Sequence, residues 1–275
     1  MDLSDGPVHV AAFDIGSNSI KMTIATVAES GTVTEGYSAI KTVRLGEGVD
    51  QTGRLADHRI AAALETLDEM VERARRDGAE RMIGVATEAV RVAENGPAFL
   101  HEVTRRTGIE ITLITGDQEA ELTYAGLATL RPLHGPVVMV DIGGASTEIV
   151  AGDGPRIDRA VSIPLGSGRL TDLYIASDPP AMEEIERARV AAGEMLEPLN
   201  LSLVQGAQLV LSGGTGTHLS EFIEHTEDLT SPEIAAALRR MTRMTADELA
   251  SAINIPPIRA RVLPAGVAIA LECAE

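Results

Sequence analysis

Cysteine is nearly absent from this chain. The single Cys273 and the lack of any CxxC pair exclude a disulfide framework and a cysteine-based zinc site. There is no tryptophan, and three phenylalanines with three tyrosines are too few for a stacking platform on single-stranded nucleic acid. Lysine occurs only at Lys21 and Lys41, so nearly all of the 23 basic residues are arginine. No run of about 18 apolar residues occurs, and no membrane span is expected. The opening MDLSDGPVHV has neither the basic head nor the apolar core of a signal sequence, which makes the cytoplasm the expected compartment. Positive charge is scarce overall, with 23 basic against 41 acidic residues and a formal net charge of −18. Such a surface repels DNA, RNA and anionic membranes. It does not exclude a phosphate ligand, because surface charge is screened over about 8–10 Å at cellular salt.

What is present is a chain of 275 residues, 44% hydrophobic, long enough for two modest cores. VHVAAF, IKMTIATVA and TVTEGYSAIKTVRL alternate as strands and predict an antiparallel start. Asp57 reads as a helix cap, followed by Ile60, Ala63, Leu64, Leu67, Met70, Val71 and Ala74 at helical spacing and a stop at Gly78. RMIGVAT and IEITLIT read as strands, with helices over 97–107 and 117–130. After RPLHGP the opening theme returns: DIGSNS at Asp14 and DIGGAS at Asp141 are the same device used twice, which indicates an internal duplication. Further helices are predicted over 179–197, 215–225, 232–241, 245–253 and the C-terminus. The predicted architecture is α/β, with one domain over 1–124, a second over 125–264, and a C-terminal helix over 265–275 expected to return to the first domain. A ligand cleft between two such domains is expected.

Three glycine-rich loops follow apolar strands, at 14–19, 141–147 and 212–217. Loops of this kind present backbone N–H groups to phosphate oxygens, and Ser17, Asn18, Ser19, Ser146, Thr147, Thr215 and Thr217 add side-chain donors. A tight turn alone would explain one such loop; three favour phosphate binding. Asp14 and Asp141 end their strands, and two carboxylates facing one site repel unless a cation lies between them. Mg²⁺ suits that arrangement, taking one or two carboxylates with waters and phosphate oxygens. Glu119 lies in the first turn of a helix and Glu148 leads a strand. By residue chemistry alone each is as well explained by helix-end electrostatics or strand exposure as by catalysis. Arg91 has the planar fork of a phosphate clamp, or is one surface arginine among many. The six histidines show no metal-ligand spacing, and only His218 adjoins a candidate loop.

Together these stretches resemble the exopolyphosphatase/guanosine pentaphosphate phosphohydrolase (Ppx/GppA) family. FDIGSNSIKMTIA, VRLGEGVDQTGRL, VATEAVRVAENGPAFL, TGDQEAELTYAGL, VVMVDIGGASTEIVAG, SIPLGSGRL and VLSGGTGT carry the resemblance in order along nearly the whole chain. The resemblance implies the duplicated two-domain fold shared with actin, Hsp70 chaperones and sugar kinases (ribonuclease H-like), in its short form. It implies that Glu119, in the GDQEA stretch, is the catalytic base and that Glu148 is a second essential glutamate. It implies phosphate contacts from Gly16, Ser17, Asn18, Ser19, Lys21 and Arg91, and from Gly143, Gly144, Ala145, Ser146, Thr147, Gly213, Gly214 and Thr215. Mg²⁺, or another divalent cation, is expected on Asp14, Asp141 and Glu148. Four positions depart from the family pattern: Gln118 for the first glutamate of a pair, Glu121 for an arginine, Ala145 for a third glycine, and Arg261 for an aspartate.

The implied reaction is hydrolysis of a terminal phosphoanhydride, releasing orthophosphate from inorganic polyphosphate. The alternatives are pppGpp hydrolysis and a weakly active sensor of guanosine penta- or tetraphosphate, which Gln118, Glu121 and Arg261 would favour. A kinase of the same superfold is disfavoured by the glutamate motifs and by the lack of a large acceptor-binding insertion. No nucleic-acid or membrane partner is expected, and a homodimer is compatible with the sequence.

Overall fold

The structure is a computed structural model that describes residues 6–130, 133, 135–199, 207–224 and 228–275. His134 and His225, and part of the RPLHGP junction, lie outside the described residues. The chain divides into two compact units, Met1–Ile114 and Thr115–Glu275.

In the first unit, β1 (Val8–Ile15), β2 (Ser19–Val27) and β3 (Val33–Thr42) form an antiparallel meander. Then come α1 (Val49–Thr52), α2 (Asp57–Arg76), β4 (Arg81–Ala86), α3 (Glu88–Val92), α4 (Gly96–Thr107) and β5 (Ile111–Leu113). The sheet order is β3-β2-β1-β4-β5, with β4 parallel to β1 and β5 parallel to β4. Alternation drives this packing. Ala11, Phe13 and Ile15 of β1 and Ile20, Met22 and Ile24 of β2 turn to one buried face. The helical stripe of Ala63, Leu64, Leu67, Met70, Val71 and Ala74 on α2 joins the same core. Asp57 does not cap α2: Ala56 holds the N-cap position, and Asp57 is the first helical residue, where its charge complements the helix dipole.

In the second unit, α5 (Gly116–Leu130) precedes β6 (Pro136–Ile142), β7 (Thr147–Asp153) and β8 (Arg156–Ile163). After α6 (Ser167–Tyr174), α7 (Met182–Leu196) and a 3-10 turn (Glu197–Leu199) comes β9 (Gln208–Ser212). α8 (Gly213–Ile223), α9 (Ser231–Met241), α10 (Ala246–Ile253), α11 (Pro257–Ala260) and α12 (Leu263–Ala274) complete it. The sheet order is β8-β7-β6-β9, with β9 parallel to β6. Both units therefore build a three-stranded meander and return one strand parallel to the first. This is the duplicated actin-like α/β fold, and the duplication is one of topology as well as of motif.

Two elements set the limits of the units. Helix α5 packs on β7 and β8, with Ala120 and Tyr124 against Met139 and Val150. Tyr124 is 1% exposed, and its hydroxyl donates to the Gly154 carbonyl at 2.8 Å. Long-range packing thus assigns α5 to the second unit, and the division falls at Ile114/Thr115 rather than inside this helix. α12 does not return to the first unit: it is buried from Leu263 to Leu271 against α6, α7, α8 and α9, because its apolar surface completes the core of the second unit. Among the described residues no helix is long and apolar enough to cross a membrane.

The connection from α6 to α7 is a hydrogen-bonded knot. The Ser177 hydroxyl, then the amides of Ala181, Ala176 and Ser177, hold the Glu184 carboxyl down to about 2. From the other side Arg261 donates to the carbonyls of Ser177 at 2.7 Å, Ile175 at 2.9 Å and Ala176 at 3.1 Å. Because the folded-state pKa of Glu184 is depressed, its stabilisation is complete above the ordinary value of 4.5 and is lost as the pH falls toward about 2. Glu184→Gln is expected to cost about 1–2 kcal/mol at pH 7. The gap between wild type and variant should close in urea melts repeated at progressively lower pH across that window.

Candidate functional site

The two DIG loops are the same turn. In the first, β1 and β2 pair up to Ile15↔Ile20, and the Gly16 amide donates to the Ser19 carbonyl at 3.1 Å. In the second, β6 and β7 pair up to Ile142↔Thr147, and the Gly143 amide donates to the Ser146 carbonyl at 2.9 Å.

Each turn is held from behind by the segment that follows the third strand of its meander. In the first unit the amides of Val43 and Arg44 donate to the Asn18 carbonyl at 2.9 and 2.8 Å, and Gly46 donates to Ser17 at 2.9 Å. In the second unit the amides of Ser167 and Arg169 donate to Gly143 and Gly144, both at 2.9 Å, and the Arg169 guanidinium donates to Ala145 at 2.9 Å. A trans peptide points its C=O and N–H in opposite directions. Carbonyls pulled toward the backing segment therefore aim the amides of Asn18 and Ser19, and those of Gly144, Ala145 and Ser146, to the other side. Successive N–H groups turned to one side form an anion-binding concavity.

Two hydroxyls of these loops bond back into the chain. Ser17 Oγ accepts from the Ala89 amide at 3.1 Å, and Thr147 Oγ1 donates to the Leu165 carbonyl. Ser17, Ser146 and Thr147 are all buried. Ala145, 8% exposed, sits with its carbonyl on Arg169, so the missing third glycine leaves the turn intact. Gly166 is required: a Cβ there would overlap the backbone of Gly144 and Ala145.

The third glycine stretch is not a loop. Gly213, Gly214 and Thr215 form the first turn of α8, with Ser212 as the N-cap. Gly213 has φ +76°, and a Cβ there would overlap Asp141 Oδ1. The Asp141 carboxylate thus lies directly against the start of α8, where the helix dipole favours negative charge. Thr215 is buried toward α12, since a Cβ on Gly266 would approach its Oγ1 to 2.6 Å. Thr217 Oγ1 donates back to the Gly213 carbonyl at 3.1 Å.

The acids fall into two settings. In the first unit Asp14 faces Lys21 across the hairpin, and Lys21 Nζ lies 3.3 Å from Asp14 Oδ2. The strand-end carboxylate is half-buried rather than buried, and a cation of the chain already meets its charge. In the second unit the equivalent cross-strand pair is Asp141 and Glu148. Two carboxylates stand where the first unit has a carboxylate and an ammonium. Glu148 is 2% exposed and accepts from Ser162 Oγ at 2.7 Å.

Glu119 belongs to this second setting. Met139 and Asp141 lie on one face of β6, and Val150 and Glu148 on the same face of β7. α5 covers that face. Tyr124 is set beside Gly152 and Gly154, toward the far end of β7, and Ala120 one turn earlier packs on Met139 and Val150. The first turn of α5, carrying Glu119, therefore points toward the end that bears Asp141 and Glu148.

Thr115 caps α5. Its hydroxyl accepts from the Gln118 amide at 3.2 Å, while Gln118 Oε1 accepts from the Thr115 amide at 2.9 Å. This is a capping box, in which glutamine and glutamate serve alike, and it accounts for Gln118. Glu121 is exposed, and Arg261 holds the 175–177 carbonyls. Arg91 donates to the Ile114 carbonyl at 2.6 Å and pairs with Glu88, anchoring the end of the first unit. His218 is 8% exposed, with Nδ1 2.8 Å from Glu221 Oε2 and Nε2 3.2 Å from Arg259. Among the described residues no group of three or more His, Cys, Asp or Glu is placed to hold a metal ion.

The sequence reading used VRLGEGVDQTGRL and SIPLGSGRL only as marks of the family and gave the backing segments they contain, with Ser162, Ser167 and Arg169, no role. Their signal was a repeated Leu-Gly, at Leu45-Gly46 and Leu165-Gly166, in each unit just after the third strand.

The chain is similar along almost its whole length to proteins already described. It is 33% identical over 288 residues to exopolyphosphatase 2 of Mycobacterium tuberculosis, covering 97% of this chain and 90% of that protein. Among solved structures, a Ppx/GppA family member from Aquifex aeolicus is 32% identical, with a TM-score of 0.73 over 97% of this chain and 90% of that one. An exopolyphosphatase-like protein is 28% identical, with a TM-score of 0.88 over 96% of this chain and 87% of that one. The model of the Ppx/GppA phosphatase family matches residues 24–275, and the chain belongs to that family.

Proposed function

We propose that the protein is a phosphoanhydride hydrolase that releases orthophosphate from the end of inorganic polyphosphate. The observation that carries this reading is the second-unit cluster. Three outward amides at Gly144, Ala145 and Ser146 stand at the end of a hairpin whose cross-strand pair is Asp141 and Glu148. The helix bearing Glu119 covers the same face. Its exopolyphosphatase relatives, at 28–33% identity, support polyphosphate as the substrate.

In this reading the amides of the second DIG turn bind the terminal phosphate, and the first DIG turn, with Lys21, is a phosphate-binding turn of its own unit. Their N–H groups are oriented before substrate arrives, so little reorganisation opposes charge build-up in the transition state. Glu119 orients a water and takes its proton as the water attacks the terminal phosphorus in line. The bridging oxygen then leaves with the shortened chain.

A divalent cation fits this donor set. Asp141 and Glu148 are hard oxygen ligands directly across one hairpin, and like charges so placed are destabilising without a countercharge. Asp14, met by Lys21 at 3.3 Å, is the weaker candidate ligand. A cation held by Asp141 and Glu148, when bound, would neutralise charge on the transferring phosphoryl group.

The test is phosphate release by the purified protein with Mg²⁺, offered short polyphosphate, long polyphosphate and pppGpp in parallel. Release from polyphosphate that disappears on chelation is the expected result. Release from pppGpp alone would move the activity to the nucleotide. Tight binding without release from any of the three would overturn the hydrolase reading. Gln118 and Arg261 do not favour a sensor, because each performs a structural task apart from the acids.

A further inference from the structure

The segment behind the first DIG turn contains a residue that its local backbone disfavours. Arg44 has φ +49°, in the left-handed region where glycine is at ease and a side chain with a Cβ is strained. Its amide nevertheless makes one of the bonds that orient the turn, to Asn18 at 2.8 Å. Glycine would make the same bond without strain, so the arginine side chain must contribute something that offsets the cost.

The side chain is only 8% exposed, and its NH1 lies 3.0 Å from Glu47 Oε1. The Glu47 amide donates to the Arg44 carbonyl at 3.0 Å, closing the same short turn through the backbone. Glu47 also accepts from Arg59 of α2 through Oε2, with Arg59 Nε at 2.5 Å. Arg59 reaches back to the Val43 carbonyl at 3.4 Å. Val43 and Arg44 are the two residues whose amides hold Asn18. One carboxylate between two guanidinium groups thus fastens the backing segment to a core helix. At the corresponding place in the second unit Pro164 precedes Leu165, and Ser167 and Arg169 grip the turn directly.

We propose that Arg44, Glu47 and Arg59 are positioning residues for phosphate binding. They hold the 43–46 segment so that the amides of Asn18 and Ser19 stay aimed at the anion. The three groups carry a net positive charge behind the turn, which favours the anion further. They do not touch substrate; they act through the turn. The inference rests on the proposed phosphate-releasing reading for its assay and on the geometry for its content.

Arg44→Gly separates the two roles of this residue. It keeps the amide donor and relieves the φ of +49°, but removes the guanidinium. The expected result is an unchanged or higher melting temperature, with KM for short polyphosphate raised about tenfold, equivalent to ~1.4 kcal/mol, and kcat changed little. Arg44→Lys, which restores charge, should recover part of the KM. Glu47→Gln, which keeps an acceptor for Arg44, should fall between wild type and Arg44→Gly.

An unchanged KM in Arg44→Gly would overturn the proposal. So would a loss explained by a fall in melting temperature, or a kcat loss with KM intact. If wild type releases no phosphate, the activity reading fails separately, and tripolyphosphate affinity measured by calorimetry on the same variants still decides the staple's role. Equal affinity of wild type and Arg44→Gly would then sink it.

Discussion

Replacing Glu119 by glutamine is expected to lower kcat for phosphate release by about 10²–10⁴-fold, the range that a positioned general base contributes. KM should change little, because the phosphate-binding amides belong to the turns and not to this side chain. The change is nearly isosteric. The carboxylate oxygen that would take the water's proton becomes an amide that cannot. Folding should be preserved, because the cap of α5 is made by Thr115 and Gln118 and the packing beneath it by Ala120 and Tyr124. A thermal melt matching wild type, together with lost turnover, would locate the effect in the chemistry. Full turnover in the variant would remove Glu119 from the role of base.

The second large effect is expected at Gly213. Alanine there would have to adopt φ +76° while placing its Cβ on Asp141 Oδ1. The backbone term alone costs about 1–2 kcal/mol, and relieving the overlap moves either the start of α8 or the Asp141 carboxylate. A fall in melting temperature of ~5 °C or more is expected, with phosphate release reduced about a hundredfold or more as the Asp141–Glu148 pair loses its spacing. Two neighbours calibrate the result. Gly214→Ala meets nothing closer than 4.0 Å and should melt like wild type. Asp141→Asn should lose activity while keeping the melting temperature. A Gly213→Ala protein with wild-type activity would show that the Asp141 position does not matter to the chemistry.

Much of this arrangement was legible locally. The alternation in VHVAAF and IKMTIATV marks strands because every second residue must face the core, and Ala11, Phe13, Ile20 and Met22 do so. The α2 stripe from Ala63 to Ala74 was visible for the same reason at helical period. The repeat of DIGSNS as DIGGAS announced two equivalent hairpins, and the paired turns at Gly16 and Gly143 have the same closing bond. Helix ends were less legible. Asp57 looked like a cap and is not one, whereas Thr115 and Gln118 make a capping box that passed unnoticed beside the more conspicuous Glu119.

The direction in which a donor or acceptor points was not legible at all. Ser17 and Thr147 have the composition of phosphate ligands, yet their hydroxyls bond to Ala89, 72 residues away, and to Leu165, 18 residues away. Asp14 and Asp141 occupy equivalent places in a repeated motif, yet one faces a lysine and the other a glutamate, because the partner is chosen across the hairpin.

The sequence by itself determined most of the strands and helices, the duplicated plan and the family. All of these depend on periodicity and on neighbours within a few residues. Only the tertiary structure decided that α5 goes with the second unit, that the loop carbonyls are pulled back and the amides sent outward, and that Arg44 is stapled through Glu47 to α2. Those outcomes depend on hydrogen bonds and packing between residues far apart in the chain, which no local pattern encodes.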